Sequence, residues 1–134
     1  MISLEMFGSD IIRIKINGYL RNNTENNLIS FNEKGIKNKN KISFVFDNVK
    51  YSINISDNNV ILIRDGNDFT NSFVFSKNDS RSNYYLKEHC YSVDLNIDTK
   101  ILEISDNKIY IKYVVIDTES EYELMIEMGD ILWV

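Results

Sequence analysis

Apolar and polar residues alternate with a period of two through most of the chain from Ile11 onward. Tyr91, Val93, Leu95 and Ile97 are apolar, and Ser92, Asp94, Asn96 and Asp98 between them are polar. Val49, Tyr51, Ile53 and Ile55 alternate with Lys50, Ser52 and Asn54, and Tyr122, Leu124, Ile126 and Met128 alternate mostly with glutamates. Successive strand residues point to opposite faces, so each run has one wet face and one dry face, the pattern of an antiparallel sheet covering a core.

Polar pairs separate these runs. Asp57-Asn58, Gly66-Asn67, Asn78-Asp79 and Asp106-Asn107 hold residues that tolerate the positive φ of tight hairpins, Gly66 above all, and Thr118-Glu119 is a further turn candidate. Two-residue loops at these places set registers. Ile55 then faces Val60, Ile53 faces Leu62 and Tyr51 faces Arg64; Ile104 faces Ile109 and Leu102 faces Ile111. Likewise Val115 faces Tyr122, Tyr113 faces Leu124 and Ile111 faces Ile126. On the same rule Arg64 faces Phe69, Phe73 faces Tyr84 and Phe75 faces Ser82. Apolar mostly meets apolar, as a buried face demands. The expected fold is all-β: an antiparallel up-and-down meander of about eight to ten strands, closed into a barrel because closure removes exposed edges. No linker, repeat or low-complexity tract divides the chain, so residues 1–134 are expected to form a single β-barrel domain. The apolar tail Ile131-Leu132-Trp133-Val134 is expected to pack on that domain.

Composition supports the strand reading. The chain of 134 residues contains no proline, no alanine and no glutamine. Losing the best helix former weakens any helical alternative, while isoleucine, valine, tyrosine and phenylalanine suit strands. With 43% apolar and 26% charged residues the chain falls in the globular range. A net charge of −5 opposes phosphate backbones and anionic lipid, so neither nucleic acid nor membrane is expected as a partner. The one basic group, Lys34, Lys37, Lys39 and Lys41, reads as a solvated hairpin end. The lone cysteine, Cys90, excludes an intramolecular disulfide. Residues 1–10 lack the pattern of a signal peptide and no stretch reaches membrane-spanning length, so the expected location is the cytoplasm, as a monomer or homodimer.

Several stretches are familiar as a set: Val60-Ile61-Leu62-Ile63-Arg64-Asp65-Gly66, Ser72-Phe73-Val74-Phe75, Leu95-Asn96-Ile97-Asp98-Thr99-Lys100-Ile101-Leu102 and Ile109-Tyr110-Ile111-Lys112-Tyr113-Val114-Val115, followed by the glutamate-rich final strand. In order and spacing they resemble the YwiB-like family of small bacterial proteins, an uncharacterised family with a calycin-like (lipocalin-like) β-barrel. The resemblance implies that barrel and brings no activity with it. The chain departs from the family pattern at Phe44-Val45-Phe46-Asp47, where a Tyr-x-Tyr-x-Glu-like stretch is usual, and at Glu88-His89-Cys90-Tyr91, where a Thr-Pro-aromatic-Gly turn is usual.

Candidate chemistry is sparse. His89 and Cys90 are the only residues of their types, and neighbours on a strand point apart, so they read as a surface turn rather than a nucleophile pair. One histidine and one cysteine are too few for zinc, and Asp65, Asn67 and Asp68 lack calcium-loop spacing. No glycine-rich phosphate loop occurs, and no cofactor, metal site or catalytic residue is expected. The stripe Ile109, Ile111, Tyr113, Leu124 and Ile126 could form a hydrophobic pocket wall, but reads first as core.

Arg64 stands out. The registers place it on the inner face among aromatic rings, where a bare charge must be paired, hydrated or stacked. In the structural reading it stacks on Tyr51 and Phe69 with its head in water at the rim. In the functional reading Arg64, with Tyr51, Asn71 and Tyr84, lines a cavity and binds a small amphipathic or anionic ligand. The function expected first is therefore a non-enzymatic small-molecule-binding module. A structural or protein-interaction module with a filled barrel comes second, and an enzyme comes last for want of an acid–base pair.

Overall fold

The computed structural model describes residues 11–130, so the tail expected to pack on the domain lies outside the described residues. Ten strands follow one another: β1 (Ile11–Asn22), β2 (Asn27–Asn38), β3 (Lys41–Phe46), β4 (Val49–Ser56), β5 (Asn59–Asp65), β6 (Phe69–Phe75), β7 (Arg81–Leu86), β8 (Tyr91–Ile104), β9 (Lys108–Val115) and β10 (Ser120–Asp130). Each pairs antiparallel with its sequence neighbours, and β1 pairs with β10, which closes the barrel. One short 3-10 turn (Ile116–Thr118) is the only helical element among the described residues, and no helix is long and apolar enough to cross a membrane.

Inward positions follow the alternation. The burial of β9 reads exposed, buried, half-buried, buried, half-buried, buried along Lys108 to Tyr113, so its isoleucines and Tyr113 face in. Because the meander alternates direction, the turns after β1, β3, β5, β7 and β9 share one end, here called the mouth. The far half of the interior is solid: Ile16, Ile42, Ile53, Val60, Phe75, Ile109, Ile111 and Ile126 are almost fully buried. Strand lengths are unequal at the mouth. Residues 91–96 of β8 pair with β7 alone, since β9 ends at Val115 opposite Ile97. Residues 27–34 of β2 pair with β1 alone.

Two turns match the expected loops, at Asp57-Asn58 and Asp106-Asn107, with Tyr51 opposite Arg64 and Ile104 opposite Ile109. Three registers differ, each by two residues. Gly66 is not a turn residue: its N–H bonds the Phe69 carbonyl at 2.9 Å, Asn67-Asp68 makes the turn, and Arg64 faces Asn71 rather than Phe69. No described glycine has a positive φ. Instead of Asn78-Asp79, residues 76–80 form the next loop, held by the Ser80 hydroxyl, which accepts from the Ser76 N–H at 3.0 Å and donates to the Ser76 carbonyl at 2.7 Å. Phe73 therefore faces Ser82, and Tyr84 faces Asn71. The third loop is the 3-10 turn rather than Thr118-Glu119; Glu119 ends it at φ 55, so Val115 faces Ser120 and Tyr113 faces Tyr122. A shift of two preserves the face of every side chain, so the alternation is blind to it. Side-chain and left-handed closures of longer loops decide it. Tyr91 and Val93, expected on the dry face, are 59% and 39% exposed because β8 overshoots β9 at the mouth.

Closure depends on one glycine. A Cβ on Gly18 would lie 1.9 Å from the Met125 carbonyl oxygen, so β1 and β10 approach here only because Gly18 has none. A Cβ on Gly129 would meet nothing within 4 Å. Gly18→Ala is expected to cost about 3 kcal/mol or more, the overpacking penalty against a backbone that cannot yield. Gly129→Ala is expected to leave stability unchanged or raise it by about 0.5 kcal/mol. Urea unfolding of the two variants beside the parent checks both.

Candidate functional site

Registers β4–β5, β5–β6 and β6–β7 place Tyr51 opposite Arg64, Arg64 opposite Asn71 and Asn71 opposite Tyr84. The four residues singled out from the sequence thus form one cross-strand row on the inner face, two residues below the mouth turns of β5. They border a cavity of about 160 Å³. Its floor is apolar, with Leu62, Phe73 and Leu124, and Leu20, Leu95 and Val115 complete the apolar lining. Beneath that floor lies the solid half of the core.

Arg64 Nε–H donates to the Tyr51 hydroxyl at 3.3 Å, and Nη1–H donates to Asn71 Oδ1 at 3.2 Å. Asn71 is held in turn: its amide donates to the Asn83 carbonyl at 3.1 Å and to Ser82 Oγ at 3.4 Å, while Ser82 donates to the Ser72 carbonyl at 2.8 Å. These bonds explain how Asn71 and Ser82, both 4% exposed, sit in an apolar interior. The guanidinium carbon lies 5.5 Å from the ring centroids of both Tyr51 and Phe69, within cation–π range. Both rings are backed: Phe44 stacks on Tyr51 at 4.8 Å and Tyr84 stacks on Phe69 at 5.4 Å. An aromatic series Phe44, Tyr51, Phe69, Tyr84 therefore runs across the strands and brackets Arg64. Gly66 gives Phe69 its place, since a Cβ there would fall 2.7 Å from the ring.

The balance of donors and acceptors is one-sided. A guanidinium has five N–H groups, and two are used. No carboxylate among the described residues pairs with Arg64. Among the described residues the hydroxyl protons of Tyr51 and Tyr84 also meet no acceptor, the Tyr51 oxygen only accepting from Arg64. Tyr113, stacked on Tyr122 at 5.2 Å, joins the lining. Burial pushes its phenol pKa up, with Tyr122 adding and the nearby Arg64 opposing, so it too remains a proton donor at neutral pH.

Tyr113 and Tyr122 were not singled out from sequence. Tyr113 was assigned to the core stripe with Ile109, Ile111, Leu124 and Ile126; Tyr113 and Leu124 line the cavity, and the three isoleucines are solid core. Both tyrosines sat at inward positions of alternating runs, but only their direct pairing across β9 and β10 brings them to the mouth. The other candidates lie elsewhere. His89 and Cys90 are in an exposed turn, Cys90 at φ 48. Asp65 accepts from Lys87 at 2.7 Å and Thr70 at 3.0 Å, and Lys87 also caps the Gly66 carbonyl, so this group ties two mouth turns together. No group of His, Cys, Asp and Glu among the described residues is arranged to hold a metal ion. Lys39 lies in the exposed turn between β2 and β3, with Lys37 and Lys41 beside it.

The profile of a family described as a domain of unknown function, DUF1934, matches residues 5–129. The crystal structure of the YwiB protein from Bacillus subtilis aligns over 92% of this chain and 93% of that one, with a TM-score of 0.63 and 17% identity. At that identity the likeness bears on the fold alone. No curated protein matches.

A second titratable group lies on the outer face. The Tyr110 hydroxyl donates to Glu123 at 2.7 Å, and the Asn23 amide donates to Glu123 at 2.8 Å and to Glu121 at 2.7 Å. The bond to Glu123, then burial, pushes Tyr110 from 10.0 to about 12. The bond from Tyr110, then that from Asn23, holds Glu123 below its ordinary 4.5. The raised phenol contributes stability that is complete below pH 10 and lost as pH rises through about 12. The depressed carboxylate contributes stability present above pH 4.5 and lost as pH falls through its folded value. Tyr110→Phe is expected to lower neutral-pH stability by roughly 1 kcal/mol. Its deficit should close above pH 12, and its acid limb should be shallower but not flat, because Asn23 remains. Urea midpoints across pH for both proteins check this.

Proposed function

The chain belongs to the DUF1934 family, and we propose that it is a non-enzymatic small-molecule-binding barrel whose mouth holds one compact amphipathic ligand with its negative head group on Arg64. The observation that carries this reading is the surplus of donors. Arg64, with three N–H groups unbonded among the described residues, and four tyrosines line a largely apolar cavity whose described lining contains no acidic side chain. A half-buried charge without a counter-ion is costly, and an anion arriving from outside supplies the missing acceptors. The described lining holds no histidine, cysteine, aspartate or glutamate, the side chains that most often move protons in catalysis. A barrel filled with side chains and acting through its surface describes the far half of the interior but not the mouth.

Binding through Arg64 has a consequence for stability. Arg64→Met removes the desolvation cost of a charge without a counter-ion but leaves the buried Asn71 Oδ1 without its donor, so the two effects oppose and the variant is expected to stay folded with its stability within about 2 kcal/mol of the parent by urea unfolding. The same variant is expected to abolish the preference for an anion. Titrating the parent with hexanoate and with hexan-1-ol, read by NMR shifts of Arg64, Asn71 and Tyr84, should show hexanoate binding at least about tenfold tighter, the worth of a charge-assisted contact. Equal shifts from both compounds, or an unchanged preference in Arg64→Met, would sink the proposal.

A further inference from the structure

The reading above leaves the ligand class open; resting on that reading, we infer that the site selects a compact, planar monocarboxylate with a body about the size of one six-membered ring. Three features of the mouth lead there. The first is the approach to Arg64. Tyr51 on β4 and Phe69 on β6 flank the guanidinium from the neighbouring strands, each ring centroid 5.5 Å from its central carbon. Nε is spent on Tyr51 and one Nη1 proton on Asn71, so the open donors are both protons of Nη2 and the second of Nη1. Nη2 keeps both protons and Nη1 one, and two N–H groups of one planar guanidinium match the two coplanar oxygens of a carboxylate. A tetrahedral phosphonate or sulfonate can offer two oxygens to that pair, but its third oxygen then turns out of the plane toward the flanking rings.

The second feature is depth. Below the row of Arg64 lie Leu62 and Phe73, buried at 4% and 8%, and below them the closed layer of Val60 and Phe75, both at 0%. A tail that enters beneath Arg64 therefore stops within one layer. The cavity of about 160 Å³ is close to the engineered apolar cavity of about 150 Å³ that holds benzene. A long alkyl chain has nowhere to go but back out. The third feature is charge. The chain carries −5 overall, which opposes a polyanion at long range and tolerates a monoanion that one arginine neutralises.

The test compares benzoate with benzamide, benzenesulfonate and laurate, each titrated into the full chain and read by NMR shifts of the mouth residues. Benzoate is expected to bind at least about tenfold tighter than benzamide and benzenesulfonate, the factor assigned to a lost charge-assisted or bidentate contact. Laurate is expected not to reach the floor, leaving Leu62 and Phe73 unshifted. Arg64→Lys keeps the charge but loses the fork, and should reduce the margin of benzoate over benzenesulfonate to within about threefold. If laurate or benzenesulfonate equals benzoate while Arg64→Met still abolishes binding, the ligand class is overturned and anion binding at Arg64 stands. If none of the four shifts the mouth residues, or if benzoate binds Arg64→Met as well as the parent, both fall.

Discussion

β1 and β10 hydrogen-bond to each other from Ile14 opposite Asp130 to Asn22 opposite Tyr122, and that seam turns a ten-strand meander into a cylinder. Without it the sheet would keep two edges, each a row of unpaired backbone groups, and its apolar face would have nothing to close upon. The seam has a narrow tolerance at Gly18, where the backbone of β10 occupies the space of a side chain. Closure also gives the interior its two halves. Around the far half, isoleucines and Phe75 fill the cross-section. At the mouth the same cylinder is lined by tyrosines, leucines and one arginine, and those side chains leave room.

On the proposed reading, Arg64 is the point where packing and function pull apart. A core optimised for stability has no use for a cation between aromatic rings, and Tyr51 and Asn71 satisfy only part of it. Much of the surrounding structure is nevertheless organised to hold it. Phe44 backs Tyr51, Tyr84 backs Phe69, Gly66 leaves space for the Phe69 ring, and Ser82 and Asn83 fix the amide of Asn71. Lys87 then ties the turn beneath Phe69 to the turn after β7 through Asp65 and the Gly66 carbonyl. A side chain held from this many directions presents its free N–H groups in a fixed orientation, which is what binding a small anion requires.

Much of this was legible in the chain itself. Alternation with a period of two, turn residues at regular spacing and the absence of alanine dictated an all-β meander and told which face of each strand is buried. It placed Tyr51, Arg64, Asn71 and Tyr84 on the inner side. It could not place them in one row. Three of the five expected turns are longer or shifted, and each moves its register by two residues. The Asn71–Tyr84 pair, like the Tyr113–Tyr122 pair, exists only because of such a shift.

The division has a physical cause. Side chains on a strand repeat every second residue, so a sequence fixes facing modulo two and is indifferent to which inward residue meets which. That choice belongs to loop closure: the Ser80 hydroxyl on Ser76, the left-handed Glu119, and the Phe69 ring that covers Gly66. Each is a contact between residues whose individual identities carry no periodic signal. By itself, then, the sequence determined the strands, their inner faces and the presence of a charge among them. Tertiary structure alone decided that the charge would stand beside an open cavity over a closed floor, because void and solid are properties of how side chains from all ten strands fill one cross-section.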